Sequence, residues 1–382
     1  EQKEKIWNDY QKIFHEILPS VIAEYDSGKF YWPSSPKYGR GNPLSKYEGD
    51  SHYWGVWHDN EPFEVYNISV GRFMSEYGFQ SFPDRSTIDS ITTIKDLHSE
   101  ELQTHQKNSR GFQILNDYMN RYYFCPENFN EYLYISQIMQ AEGIKTAIES
   151  HRRAKPYCMG TLYWQLNDCW PVISWSSLDY YQNWKALHYF VKKLYQPVIL
   201  STVIKDEKIE IYSISDLLKG FHGKLTISVE DFSGDILFSK DTNVLIKANT
   251  SRVIFSSRIP DSLINIDKKS NILRIRLFGK DKIIYEDLRY FDAPHKLNLK
   301  KPIISFISYD PKNGYDITIS SNTLIKNLCM YLENENVKFS DNYFDLLPNQ
   351  EKKFSIQTSL SLDKVKKKLK MISFNWLSPN TN

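Results

Sequence analysis

The chain has 382 residues, 41% hydrophobic and 25% charged, the composition of ordinary folded protein with room for two or three domains. Its formal net charge of +2 gives no reason to expect a nucleic-acid or membrane-surface partner. Cys125, Cys158, Cys169 and Cys329 show neither the paired spacing of a zinc site nor the density of a disulfide scaffold, so buried free thiols are expected.

In chain order, Ile6, Tyr10, Phe14, Leu18, Val21 and Ile22 recur at three- and four-residue steps and predict an amphipathic helix over 3–25, with Pro19 as a kink or a new first turn. Extended stretches are expected at Lys29 to Trp32, His52 to Trp57, Gly71 to Glu76 and Met159 to Leu166. A long helix over 130–154 carries Leu133, Ile138, Met139, Ala141, Ile144 and Ile148. Strand, helix and strand in turn predict parallel βα units.

After about Pro197 the pattern changes. Lys208 to Ile214, Lys224 to Val229 and Leu273 to Leu277 alternate apolar with polar residues, and turns such as Ser233-Gly234-Asp235 separate them. Period two without intervening helices predicts an antiparallel β-sandwich ending near Asp292-Ala293-Pro294. A second begins at Ile303, with Tyr315 to Ile319 following an Asn313-Gly314 turn. Lys366 to Lys368 read as a solvated helix face or strand edge. The expected parts are a βα portion at 1–196 and immunoglobulin-like sandwiches at 197–297 and 298–382.

Glu76 closes the run Val70 to Ser75 and is followed by Tyr77 and a breaking Gly78, an arrangement that presents one carboxylate beside aromatic rings. By strand alternation Met74 and Arg72 share its side. Arg72 would lie about 13 Å deeper, at roughly 3.3 Å per residue, and is assigned to a barrel interior rather than to chemistry. His52 and Trp54 share a strand face; Trp57 would then point away and His58 return near the rim. The chain is 15% aromatic, and ring faces suit the apolar C–H patches of a pyranose, although only rings clustered with carboxylates count as sugar contacts. A metal site at His52, His58 and Asp59 lacks a third ligand at zinc-like spacing.

The stretch Arg72 to Pro83, RFMSEYGFQSFP, resembles the nucleophile strand of the family 2 glycoside hydrolases, the β-mannosidase branch in particular. Tyr31 to Pro36, Gly49 to His58 and Gly160 to Pro171 resemble three further barrel strands of that branch, and Asp341 to Pro348 resembles its C-terminal sandwich. The resemblance implies a multidomain α/β plus all-β chain: the C-terminal half of a (β/α)8 TIM barrel followed by two immunoglobulin-like β-sandwiches.

It further implies a retaining exo-β-mannosidase acting on oligosaccharides, with Glu76 as nucleophile, Trp164 under the sugar, His52, Trp54, Trp57 and His58 as substrate contacts, and no metal or organic cofactor. The family's acid/base Glu belongs to an Asn-Glu pair expected upstream of Glu1, which makes Asn60-Glu61 a decoy and the chain alone inactive or nearly so. A half barrel exposes its edges and interior, so a homo-oligomer or the missing N-terminal portion is expected to cover them. A family 2 β-galactosidase, β-glucuronidase or exo-glucosaminidase and a non-catalytic carbohydrate-binding module are the alternatives. Localisation is unknown without the true N-terminus, with a periplasmic or secreted setting as a guess.

Overall fold

A computed structural model describes residues 1–258, 266–312 and 314–379. Helix α1 (Gln2–Gln11) runs through a π turn (Lys12–Ile17) into α2 (Leu18–Tyr25). Pro19 starts the new segment as expected; it has no N–H for the carbonyl four residues back, and the turn before it is the widened one. None of these residues is buried: Ile6 is 61% and Trp7 59% exposed, so the apolar face covers no core among the described residues.

The expected extended stretches shrink to short pairings. Lys29 to Trp32 forms no strand, and β1 (Ser51–His52) lies parallel to β2 (Met74–Glu76). Met74 in turn bridges Thr161 in parallel, the one paired position of the predicted 159–166 strand. Backbone hydrogen bonds extend this layer from Ser51 N to Phe73 O at 2.7 Å through Trp164 N to Tyr77 O at 2.8 Å. The chain leaves β1 after His52 and from Gly55 coils into the one-turn helix α3 (Gly55–His58), which puts Val56 and Trp57 at 0% exposure.

Helices α4 (Arg85–Ile91), α5 (Glu100–Thr104) and α6 (Gly111–Tyr122) precede α7 (Phe129–Arg153). The Asn128 side chain caps α7 by accepting from the N–H groups of Asn130 and Glu131, and His151, Arg152 and Arg153 complement the dipole in its last turn. It is buried on several faces because it holds three layers together. Gln140 Nε2 donates to the carbonyls of Phe79, Trp175 and Ser176 under the parallel layer. Ser201 Oγ donates to Glu149 Oε2 at 2.8 Å, and Tyr134 Oη to Asn327 O at 2.6 Å. Helix α8 (Ala186–Leu194) packs against it.

The remainder is two sandwiches. In the first, β3 (Val198–Lys205), β4 (Lys208–Ser215), β5 (Phe221–Asp231), β6 (Ile236–Ile246), β7 (Thr250–Arg258), β8 (Asn271–Gly279) and β9 (Lys282–Tyr290) form sheets of order β3-β4-β7 and β6-β5-β8-β9. Alternate residues such as Ile209, Ile211, Ile227 and Ile275 fill the space between. The second comprises β10 (Ile304–Lys312), β11 (Gly314–Ser321), β12 (Ile325–Leu332), β13 (Lys338–Phe339), β14 (Phe344–Leu346), β15 (Lys352–Gln357) and β16 (Leu369–Ile372). Its sheets run β10-β11-β15-β13 and β14-β12-β16. Of the expected Asn313-Gly314 turn, Asn313 lies outside the described residues. Lys366 to Lys368 end the helix α9 (Leu362–Lys368), whose buried residue is Val365, and α10 (Phe374–Leu377) follows.

Two expectations are corrected. Arg72 is exposed, its guanidinium 4.9 Å from the centre of the Tyr157 ring, because the backbone joins the parallel layer only at Met74. Cys169 is exposed and Cys125 partly so; Cys158 and Cys329 are buried.

His151 is 1% exposed beside Thr161 Oγ1 at 2.9 Å, and burial, helped by the Arg153 charge, pushes its pKa down to about 3. The folded value lies below the unfolded value of about 6.5, so only the unfolded chain takes up this proton as pH falls. Stability present above pH 6.5 is therefore expected to drain away between pH 6.5 and 3, by up to about 1.4 kcal/mol per pH unit. Denaturant midpoints measured across that window should fall more steeply for the native sequence than for His151→Gln, which retains a partner for Thr161.

Candidate active site

Glu76 stands at the last position of β2, its side chain 25% exposed, as the sequence predicts for a carboxylate delivered by a strand end. Two ring nitrogens converge on one of its oxygens: Trp54 Nε1 donates to Oε2 at 3.2 Å and His52 Nδ1 lies 3.4 Å from the same atom. Both contacts fall on Oε2, and neither engages Oε1. The backbone fixes this meeting, because Tyr53 N donates to Glu76 O at 2.8 Å and so locks β1 beside β2 at the level of the carboxylate.

Behind His52 stands a group not singled out from the sequence. Asp50 Oδ2 lies 3.6 Å from His52 Nε2 and accepts hydrogen bonds from Ser35 Oγ at 2.5 Å and Ser75 Oγ at 2.6 Å. Burial pushes the Asp50 carboxyl up, but the Ser35 and Ser75 hydroxyls, with a backbone hydrogen bond and the His52 charge, together hold the group below its ordinary range. Ser35 Oγ also lies 3.3 Å from His52 Nε2. Asp50, His52 and Trp54 are spaced two apart, so alternation could have flagged Asp50 as the third member of that face.

The structure parts the four other predicted contacts. Trp54 is in the site, and its ring centre lies 5.7 Å from that of His58. His58 sits exposed at the rim, its pKa lowered by partial burial and by the charges of Arg40 and Arg110. Trp57 has no exposed surface and stands behind the site, its ring edge-on to Phe79 and to Trp175 at 5.2 and 5.4 Å. The chain is helical from Gly55, and this turn, rather than strand alternation, directs Trp57 away from the site and into the core. Trp175 was missed: it also meets Trp54 edge-on at 6.1 Å, and so braces the indole that holds Glu76.

Trp164 is 42% exposed and reaches the site through its N–H bond to Tyr77 O; the peptide between it and Gln165 is cis. A Cβ placed on Gly78 would overlap the Trp164 carbonyl oxygen, a backbone atom that cannot swing away. Gly78→Ala is therefore expected to separate Trp164 from the Glu76 strand and lower stability by about 1–3 kcal/mol, read as a drop in thermal midpoint with altered tryptophan fluorescence.

Glu61 accepts from Tyr53 Oη, and Asn60 Nδ2 donates to Asp117 at 3.1 Å, so both members of the Asn60-Glu61 pair are engaged in local contacts. Among the described residues, no group of three or more His, Cys, Asp and Glu side chains is gathered as a metal centre.

A parallel layer bearing a braced carboxylate at a strand end is thus joined to two immunoglobulin-type sandwiches. Residues 207–295 match the Mannosidase Ig/CBM-like domain model and 299–375 the mannosidase Ig-fold domain model. The chain is 30% identical to β-mannosidase B of Aspergillus niger over 373 residues, 88% of this chain and 42% of that protein. It is 31% identical to the β-mannosidase of Capra hircus over 288 residues, 67% of this chain and 32% of that one. The crystal structure of β-D-mannosidase from Dictyoglomus thermophilum superposes with a TM-score of 0.87 at 30% identity, covering 97% of this chain and 45% of that one. The exo-chitosanase of Amycolatopsis orientalis, at 14% identity and a TM-score of 0.65 over 82% of this chain and 44% of that one, shares the fold. The chain belongs to the β-mannosidase branch of the family 2 glycoside hydrolases, and it spans less than half the length of these relatives.

Proposed function

We propose that this chain is the nucleophile-bearing portion of a retaining exo-β-mannosidase that removes terminal β-linked mannose from oligosaccharides. The observation that carries the reading is the single pinned oxygen of Glu76: Trp54 Nε1 and His52 Nδ1 both approach Oε2, and neither engages Oε1. A carboxylate fixed in this way is a nucleophile with one attacking atom and little rotational freedom to lose.

In this reading Glu76 Oε1 attacks the anomeric carbon and forms a glycosyl ester as the glycosidic C–O bond breaks and the leaving oxygen takes a proton; water then cleaves the ester, releasing mannose and restoring the carboxylate. Donors on Oε2 stabilise the carboxylate as it leaves the ester in the second step. Trp164 offers its face to the sugar, His52 and Trp54 set the carboxylate, and His58 closes the rim. A retaining reaction also needs a second carboxyl about 5–5.5 Å from the first to serve as acid and then base. The family resemblance assigns that group to the Glu of an Asn-Glu pair upstream of Glu1, and Asp50 and Glu61 are engaged with Ser35 and Ser75 and with Tyr53. The chain alone would then be slow by the factor of about 10²–10⁴ that proton transfer contributes.

Residues 1–196 are assigned to the C-terminal half of a (β/α)8 barrel, 197–297 and 298–382 to the two sandwiches. Support for the half barrel comes from the face beside the site: Phe73, Leu162, Trp164 and Leu166 are 38–55% exposed there, and the apolar face of α1 and α2 is uncovered too. The remaining barrel strands would cover both. Assay of the full-length protein against nitrophenyl glycosides tests the substrate: the β-mannoside should be hydrolysed with the highest kcat/KM, and preference for the galactoside, glucuronide or glucosaminide would contradict the reading.

A further inference from the structure

A cavity of about 640 Å³ opens between the α/β portion and the C-terminal sandwich, apart from the Glu76 site. Helix α4 gives Arg85 and Asp89 to its wall, the loop before α8 gives Gln182 and Trp184, and the turn after β12 gives Asn334 and Asn336. We propose that this cleft is a second carbohydrate-binding site, taking a short neutral oligosaccharide on the Trp184 ring. The volume lies within the range of small-molecule sites, and an aromatic face ringed by planar amide groups fits the apolar C–H faces and outward hydroxyls of pyranoses.

Three of the carboxylates that line the cleft already have cations, Asp89 with Lys95, Glu333 with Lys370 and Glu335 with Lys368, and a fourth, Asp84, accepts from Ser86. The Trp184 ring is approached by two of the protein's own ammonium groups, Lys338 Nζ 4.2 Å and Lys192 Nζ 5.7 Å from a ring centre. Lys338 is exposed, so it stands where a sugar's electropositive C–H face would stack and is readily displaced. The floor is inert, since burial pushes the Cys329 thiol up to about 12.

The inference does not rest on the role of Glu76, and the test keeps the two apart. The 382-residue chain carrying Trp164→Ala, which removes the active-site platform, is titrated with β-1,4-mannotriose by calorimetry. Saturable binding is expected, weakened at least about 10-fold by Trp184→Ala, because one stacked ring carries much of such a contact. Lys338→Ala, an exposed change that leaves the fold intact, should tighten binding about 2- to 5-fold by removing the competing ammonium. Absence of binding in the Trp164→Ala chain overturns the proposal, as does an affinity untouched by both Trp184→Ala and Lys338→Ala. So does capture of tetralysine in preference to the trisaccharide.

Discussion

Glu149→Gln is expected to destabilise the protein by about 3 kcal/mol, the largest loss predicted for a change of one atom. Glu149 is 2% exposed in the last turns of α7, where its carboxylate accepts from Arg289 Nη2 and Ser201 Oγ and lies 3.8 Å from Arg153 Nη1. Those partners sit on β9, β3 and α7 itself, so one carboxylate joins the α/β portion to both sheets of the first sandwich. Burial pulls the Arg289 guanidinium down, but Asp287 and Glu149 outweigh it and hold the group above its ordinary range. Removing one carboxylate leaves a mostly buried guanidinium with only Asp287, 2.6 Å from its Nε. The figure sits at the low end of the range for broken buried pairs because Asp287 remains and Arg289 is 22% exposed. Denaturant unfolding checks it, and coupling between Glu149→Gln and Arg289→Met below about 0.5 kcal/mol would contradict the network.

Glu76→Gln is expected to lower kcat of the full-length enzyme on the β-mannoside by about 10⁴-fold or more while the fold stays intact. The amide occupies the carboxylate's volume but cannot form the ester, and Trp54 Nε1 keeps an acceptor in the amide oxygen. Stability within about 1 kcal/mol of the parent with activity gone is the expected pattern. A loss below about 10-fold would remove Glu76 from the bond-making step.

How much of this could be read from the sequence varies with the kind of order involved. The longer sandwich strands were legible because they repeat period two over eight or nine residues: Lys208–Ser215 and Asn271–Gly279 contain the predicted runs. Helix α7 was legible for the same reason at the helical period. The parallel layer was not, because its pairings are one to three residues long and no periodicity develops over such a span. His52 and Trp54 lie against Glu76, whereas Trp57 is carried into the core by the helix that begins at Gly55.

Glu76 was visible through local chemistry and a resembling motif, both carried by adjacent residues. Asp50 was not, since its role comes from Ser35 and Ser75, 15 and 25 residues away. Trp175 is further still from Trp54, and only the folded chain brings their rings together. Arg72 was misplaced because a strand assumed to begin at Gly71 begins at Met74.

The most direct test of the central claim is mass spectrometry of the protein after reaction with 2-deoxy-2-fluoro-mannosyl fluoride, whose good leaving group needs no proton and whose fluorine slows release of the ester. The account predicts one fluoromannosyl adduct, on the peptide containing Glu76 and absent in Glu76→Gln, formed by the full-length enzyme and more slowly by this chain. An adduct on any other peptide, or labelling that survives Glu76→Gln, would contradict it.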